Sequence, residues 1–192
     1  MISQYDVTVI VPIYNSESTL FSTLESLEKQ KYPIYRVFLV DNNSTDKSSS
    51  IMEHYKSVSK NNVVLISHDC DHGLSYSYNE CIKLATTELV VTLHSDIVIC
   101  DNDGLEKLIE PFIKEKDLVA TYPLIEFPSE VWDKYGFWQK CLFSRLLNNL
   151  HPGRNGMFNC FRRSALLDIG LFDEKTFRTA GEDGDLYQRL QI

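Results

Sequence analysis

Four stretches of the chain are continuously apolar and rich in β-branched residues: Val7 to Val11 (Val-Thr-Val-Ile-Val), Val37 to Val40, Val63 to Ile66, and the start of Leu89 to Ile99. A half-exposed strand alternates polar with apolar, so unbroken runs of this kind predict strands buried on both faces. Between them the apolar positions recur every three or four residues. Leu20, Leu24 and Leu27 fall on one helical face, as do Ile51, Met52, Tyr55 and Val58, then a segment from about Leu74 to Ala85, then Leu105, Leu108, Ile109 and Phe112. Punctuation sets the expected boundaries. Pro12 ends the first strand, Asn15 or Ser16 caps the first helix with Glu17 in its first turn, Tyr32-Pro33 marks its exit, and Asp101 caps the helix after the fourth strand. Leu118 to Tyr122 reads as a fifth strand. Strands alternating with helices at this pace predict an α/β fold, a three-layer α/β/α sandwich around a mostly parallel central sheet.

That fold class gives the strand ends a meaning. In an open parallel sheet the carboxyl ends of the strands lie along one edge, where ligands bind. Tyr14, Asp41, Asp69 and Asp96 each sit just past a predicted strand end. The Leu89 to Ile99 run is broken only by His94-Ser95-Asp96, a polar step in an otherwise buried segment, and Asp96 is therefore the anchor of a candidate site. A single strand-end acid can merely cap a turn; three of them with an aromatic on one edge favour a shared pocket.

From Pro123 to Gly156 the pattern changes, with Trp132, Tyr135, Phe137, Trp138, Phe143 and Leu146-Leu147 set among charged residues. An amphipathic cover over the site, an acceptor surface and a peripheral membrane contact are all open for this stretch, with core packing the expectation for most of its aromatics. Met157 to Arg163 is strand-like again, Ser164 opens a short helix, and Gly170 suits its C-terminal stop. Gly181-Glu182-Asp183-Gly184-Asp185 puts acids at a helix start, where they favour the helix dipole.

At 192 residues one domain is the expectation, ending short or truncated at its C-terminus. The formal net charge of −8 argues against broad nucleic-acid binding. The five cysteines are odd in number, with no Cys-x-x-Cys pair, and read as reduced thiols of a cytoplasmic protein with no zinc site. No run reaches the roughly 18 apolar residues of a membrane span, and Met1 to Asp6 carry no basic leader.

Taken in order, these stretches resemble the family-2 glycosyltransferases of the GT-A fold, inverting enzymes that use nucleotide-activated sugars. Val7 to Asn15 and Phe38 to Asp46 are similar to the family's first two strand-and-loop units, Asp71-His72-Gly73 through Asn79 to the stretch before the metal motif, and Asn159 to Asp173 to the strand and turn before an acidic motif at Gly181 to Asp183. The resemblance implies that Pro12, Tyr14, Asn15, Asp41, Asp69, Ser95 and Asp96 line the nucleotide-sugar site, with Tyr14 against the base and Asp41 hydrogen-bonded to it. Asp96 takes the place of the last acid of the Asp-x-Asp motif, which holds a divalent metal, Mn2+ or Mg2+, on the diphosphate. Asp183, or else Glu182, takes the place of the general base. Where the family has a first acid this chain has His94; imidazole prefers softer metals, so His94 stands as a second ligand beside Asp96 or as a hydrogen-bonding group. The processive Gln-x-x-Arg-Trp signature is absent and the chain ends nine residues after Asp183, which fits a single transfer to a glycan, lipid-linked or protein acceptor.

Such residues support one chemistry directly. Charge developing on a departing diphosphate needs a cation, and an attacking hydroxyl needs a base on the opposite face. Two rivals remain at this level. A glycoside hydrolase also uses paired carboxylates but leaves Tyr14 and Asp41 unexplained, and a sugar-nucleotide-binding module without turnover would differ only in a transfer assay.

Overall fold

In the computed structural model, residues 5–125, 129–144, 151–153, 157–177 and 181–191 are described. The chain opens with β1 (Val7–Ile13), α1 (Leu20–Glu28), β2 (Arg36–Asp41), α2 (Ser48–Val58), β3 (Val63–Ser67), α3 (Leu74–Leu84), β4 (Leu89–Leu93) and α4 (Gly104–Lys114). Short elements follow: β5 (Ala120–Thr121), β6 (Leu124–Ile125), α5 (Ser129–Lys134), α6 (Phe137–Phe143) and β7 (His151–Pro152). The described chain closes with β8 (Phe158–Arg162), α7 (Arg163–Asp168) and α8 (Glu182–Leu190).

The main sheet has six strands in the order β3-β2-β1-β4-β8-β5. The first four are parallel; β8 runs antiparallel to both β4 and β5. The alternating side chains of the central strands feed two separate cores. Val7, Val9, Val11, Val37, Leu39, Leu89, Val91 and Leu93 pack with α1, α2 and α4 through Leu20, Leu24, Met52, Leu105 and Phe112. Ile10, Phe38, Val40 and Val90 face the other way, against Tyr78 and Ile82 of α3, Leu166 of α7 and Leu186 of α8. Burial on both faces is why these strands carry no polar alternation.

Pro12 does not end β1. The strand continues to Ile13, with Pro12 opposite Val40 and Ile13 opposite Asp41. In a parallel strand the N–H and C=O of one residue point the same way. The Val7 and Ile13 carbonyls accept from Tyr35 and Asn42, so odd-numbered residues bond toward β2 and Pro12 faces β4. Pairing with β4 ends at Ile10–Thr92, so the missing donor falls where no ladder remains.

The expected helix caps also move. Helix α1 begins at Leu20 after a turn in which the Ser16 carbonyl accepts from Thr19 and Leu20, and neither Asn15 nor Ser16 caps it with a side chain. At α4, Asp101 is not the cap; the buried Gln30 amide, from just beyond α1, accepts from the Leu105 N–H at 2.9 Å. In the 123–156 region Phe137, Trp138 and Leu142 of α6 are exposed rather than core, and the Lys140 ammonium of the same helix lies 5.9 Å from the centre of the Trp132 ring of α5. Leu146-Leu147 lie outside the described residues.

One buried amide carries the path from α7 to α8. Asn79 on α3 donates to the Phe172 carbonyl at 2.9 Å and to Glu174 Oε2 at 2.9 Å, and accepts from the Phe172 N–H at 3.0 Å. It fixes a turn in which Gly170 and Leu171 are both left-handed, at φ 87° and 69°. Leaving a buried backbone group unpaired costs roughly 1–3 kcal/mol. Asn79→Ala is therefore expected to lower the unfolding free energy by about 2–4 kcal/mol in urea denaturation; a loss under about 0.5 kcal/mol would mean that the turn holds itself.

Candidate functional site

The same alternation that divides the core sets the site. In β4, Val91 and Leu93 face α1 and α4 while Val90 faces α3 and α8. Carried past the strand end, this rhythm sends His94 to the α3–α8 side and Ser95 to the α1 side. His94 stacks over buried Tyr78 of α3, ring centroids 6.4 Å apart, and its N–H donates to the Met157 carbonyl at 2.8 Å. The Ser95 hydroxyl shares a 2.8 Å hydrogen bond with Ser16, and the Ser95 carbonyl accepts from Thr23 of α1 at 2.9 Å. Asp96 is left exposed at the edge.

On the α1 side the loop after β1 is locked to the loop after β2. Asn15, left-handed at φ 46°, donates its N–H to Ser44 Oγ at 3.0 Å and accepts from the Thr45 N–H at 2.8 Å. The two loops exchange reciprocal bonds: the Glu17 N–H donates to the Asp46 carboxylate at 2.9 Å, and the Lys47 N–H donates to the Glu17 carboxylate at 3.0 Å. Asp41 is buried at the end of β2, accepting from the Ser44 N–H at 2.9 Å and from the Ser49 hydroxyl at 2.6 Å. Tyr14 stands exposed beside this lattice, while Pro12 is buried within β1.

On the α3–α8 side, Gly181 takes a left-handed turn at φ 89° and admits α8 with Glu182 and Asp183 in its first turn. A Cβ at Gly181 would come within 3.1 Å of the Phe177 ring. Glu182 is buried, and its Oε2 has no hydrogen-bond partner among the described residues; the same holds for His94 Nε2. These groups feel one another. Burial holds His94 below its ordinary value against the pull of Asp96 and Glu182, so the imidazole is neutral with an open ring nitrogen. Burial, reinforced by the Glu182 charge, pushes Asp183 up from 3.8 to about 7. Burial likewise raises the Tyr78 hydroxyl well above its usual range, and Asp183, Glu182 and Asp96 add to that. The structure thus brings His94, Asp96, Glu182 and Asp183 within electrostatic reach around Tyr78.

Asp69 stands apart from this assembly. Its carboxylate is exposed and lies 3.8 Å from His72 Nε2. Tyr78 is the residue that sequence reasoning missed, since its place on the buried face of a helix reads as ordinary core. Asn159, in the middle of the buried strand β8 and donating to the Tyr187 hydroxyl, was detectable as a polar residue in an apolar run.

The arrangement offers a free exposed carboxylate at Asp96 with a neutral imidazole nearby, which fits a divalent cation by donor chemistry. Across from it sits an acid poised near neutrality. Among the described residues no helix is long and apolar enough to cross a membrane.

Comparison with known proteins places this geometry in context. A family model described as "Glycosyl transferase family 2" matches residues 8–170. The poly-beta-1,6-N-acetyl-D-glucosamine synthase of Staphylococcus epidermidis is 28% identical over 175 residues, covering 87% of this chain and 42% of the synthase. Among solved structures, S. aureus TarS residues 1–349 in complex with UDP-GlcNAc superposes with a TM-score of 0.70 at 26% identity, covering 96% of this chain and 53% of that one. A mannosyltransferase from Pyrobaculum calidifontis, solved with GDP-Man and Mn2+, shares the fold with a TM-score of 0.73 at 20% identity, covering 97% and 52%. The chain thus spans about half the length of these relatives.

Titration of Asp183 has a consequence for stability with a definite sign. Between its ordinary and raised values the folded chain keeps a proton that the unfolded chain has released, so stability falls as pH rises through that window. Asp183→Asn removes the group. Its melting temperature is expected to match the parent near about pH 4 and to exceed it progressively up to about pH 8; parallel curves across that range would show that the carboxyl is not desolvated.

Proposed function

The chain belongs to glycosyl transferase family 2, and from that premise we propose that it transfers a sugar from a nucleoside-diphosphate sugar to an acceptor hydroxyl with inversion at the anomeric carbon. What supports this reading is that Asp96, just past the end of β4, and Asp183, in the first turn of α8, both act electrostatically on the buried Tyr78 hydroxyl. In this reading residues 1–192 form one GT-A catalytic domain making single transfers in the cytoplasm, where reduced cysteines are at home.

Each residue then has a task. The lattice joining Asn15, Ser44 and Thr45, with Asp41 buried beneath it, forms the wall for the nucleoside, and exposed Tyr14 offers a ring for the base to stack on. Asp96 would hold a divalent ion, with His94 Nε2 either as a second ligand or as a hydrogen-bond partner of the donor. When bound, such an ion supplies Lewis-acid stabilisation of charge on the leaving diphosphate. Asp183 takes the proton of the acceptor hydroxyl as that oxygen attacks. A carboxyl near neutrality suits this, being both deprotonated in part and basic enough to accept. Burial first, and then the charge of the neighbouring buried Glu182, keeps Asp183 basic. TarS was solved with UDP-GlcNAc, so that nucleotide sugar is the first donor to assay, with glycan, lipid-linked and protein hydroxyls as acceptor classes.

Two measurements test the assignment. Asp183→Asn keeps the shape of the side chain and should leave nucleotide binding nearly intact while lowering turnover by about 10²–10⁴-fold. Asp96→Ala should abolish the Mn2+- or Mg2+-dependent part of nucleotide affinity in calorimetry, and His94→Asp should keep or raise it. A parent chain that binds UDP-GlcNAc but neither hydrolyses nor transfers it, with any acceptor class, would make it a binding module. Full activity in both Asp183→Asn and Glu182→Gln would remove the acidic pair from the mechanism.

A further inference from the structure

Beyond β3 the chain makes a short passage, His68-Asp69-Cys70-Asp71-His72-Gly73, before α3 begins; Asp69 and Cys70 are exposed, His68, Asp71 and His72 half-buried and Gly73 buried. Three different donors converge there. One carboxylate oxygen of Asp69, the Cys70 sulfur and one ring nitrogen of His72 all lie within 4.8 Å of one another. His72 Nε2 is 3.4 Å from Cys70 Sγ and 3.8 Å from Asp69 Oδ1. The His72 ring is held in place by stacking on Tyr76, centroids 4.5 Å apart, and by the edge of His68 at 5.1 Å. His68 itself is not a donor, because its two ring nitrogens are engaged by Asn42 and Glu80 at 2.8 Å each. The turn is closed by the Gly73 N–H donating to Asp71 Oδ1 at 2.8 Å, with Gly73 left-handed at φ 89°.

We propose that Asp69, Cys70 and His72 form a binding site for a borderline-soft divalent transition ion, Zn2+ by donor type, separate from the hard-cation position at Asp96. The geometry that points to it is three converging O, S and N donors on one preset loop. Thiolate and imidazole together favour Zn2+ over Mg2+ or Mn2+, which prefer all-oxygen surroundings. Three protein ligands leave the fourth tetrahedral position to water. On binding, the Cys70 thiol gives its proton to the buffer and its sulfur to the metal, so each ion bound releases one proton. The site lies on the same edge as the nucleoside wall: Ser67 pairs with Asp41 in the sheet, and the His68 N–H donates to the Asp41 carbonyl at 2.9 Å. A bound ion would brace the third loop of that edge, and its existence does not depend on the transfer reaction.

The test is calorimetric titration of the whole chain with ZnCl2 alone, in a non-thiol reductant and without nucleotide. One equivalent should bind, with a heat that varies with the ionisation enthalpy of the buffer. Cys70→Ser and His72→Ala should each weaken it by at least about 100-fold, the upper end of what losing a ligand's supporting partner costs. Cys100→Ser, at the other exposed thiol before the 123–156 region, should leave it unchanged. A second measurement does not depend on how the ligand variants fold: Co2+ added to a chain lacking Cys100 and Cys141 should produce the near-ultraviolet charge-transfer band of a thiolate ligand. Undiminished Zn2+ affinity in Cys70→Ser and His72→Ala, or no thiolate band with Co2+, would overturn the site.

Discussion

The geometry of the carboxyl edge depends on β4 being buried on both faces. A strand that hands alternate residues to two helical layers has its register fixed by both, and the hand-over continues into the first residues beyond it. His94 therefore reaches the α3–α8 layer and Ser95 the α1 layer without either needing a partner of unusual strength. Slipping β4 by one residue would exchange the two, putting a serine against Tyr78 and an imidazole against Thr23. The apolar run from Leu89 to Leu93 thus positions polar chemistry that it does not itself contain.

The acidic end of α8 is the costly part of the arrangement. A buried carboxylate with an unpartnered oxygen, next to a second one pushed toward neutrality, is tolerated because Leu186 and Tyr187 on the following turn are fully packed into the α3-side core. Folding free energy from that apolar burial holds the two carboxyls where solvent cannot fully hydrate them. The positive end of the helix offsets part of the cost.

Most of this frame was legible in the amino-acid sequence. The runs at Val7, Val37, Val63 and Leu89 became adjacent parallel strands because unbroken apolar stretches have no other stable place in a mixed fold. Asp41 and Asp96 were legible for the same reason, as polar residues at the ends of such runs. Pro12 misled because a missing donor matters only on the side where a neighbour pairs, and one strand does not say which side that is. The caps at Asn15 and Asp101 misled because tertiary partners, Thr45 for Asn15 and Gln30 at α4, took over local hydrogen bonding. Phe137 and Trp138 of α6 could not be read as exposed from composition, since an amphipathic helix records only that one face is apolar, not what covers it. Met157 to Arg163 was legible as a strand, but not its antiparallel pairing beside β4, nor the left-handed turn at Leu171 that leads toward α8, because neither leaves a periodic mark in the sequence.

The reciprocal bonds between the loops after β1 and β2 have a kinetic consequence. Asn15, Glu17, Ser44, Thr45 and Asp46 hold one another through their own hydrogen bonds, so under the proposed function this side of the cleft meets a nucleoside as a finished surface. Encounter there needs no ordering step. Different nucleobases should consequently arrive at similar rates and separate by how long they stay, with selectivity expressed as residence time.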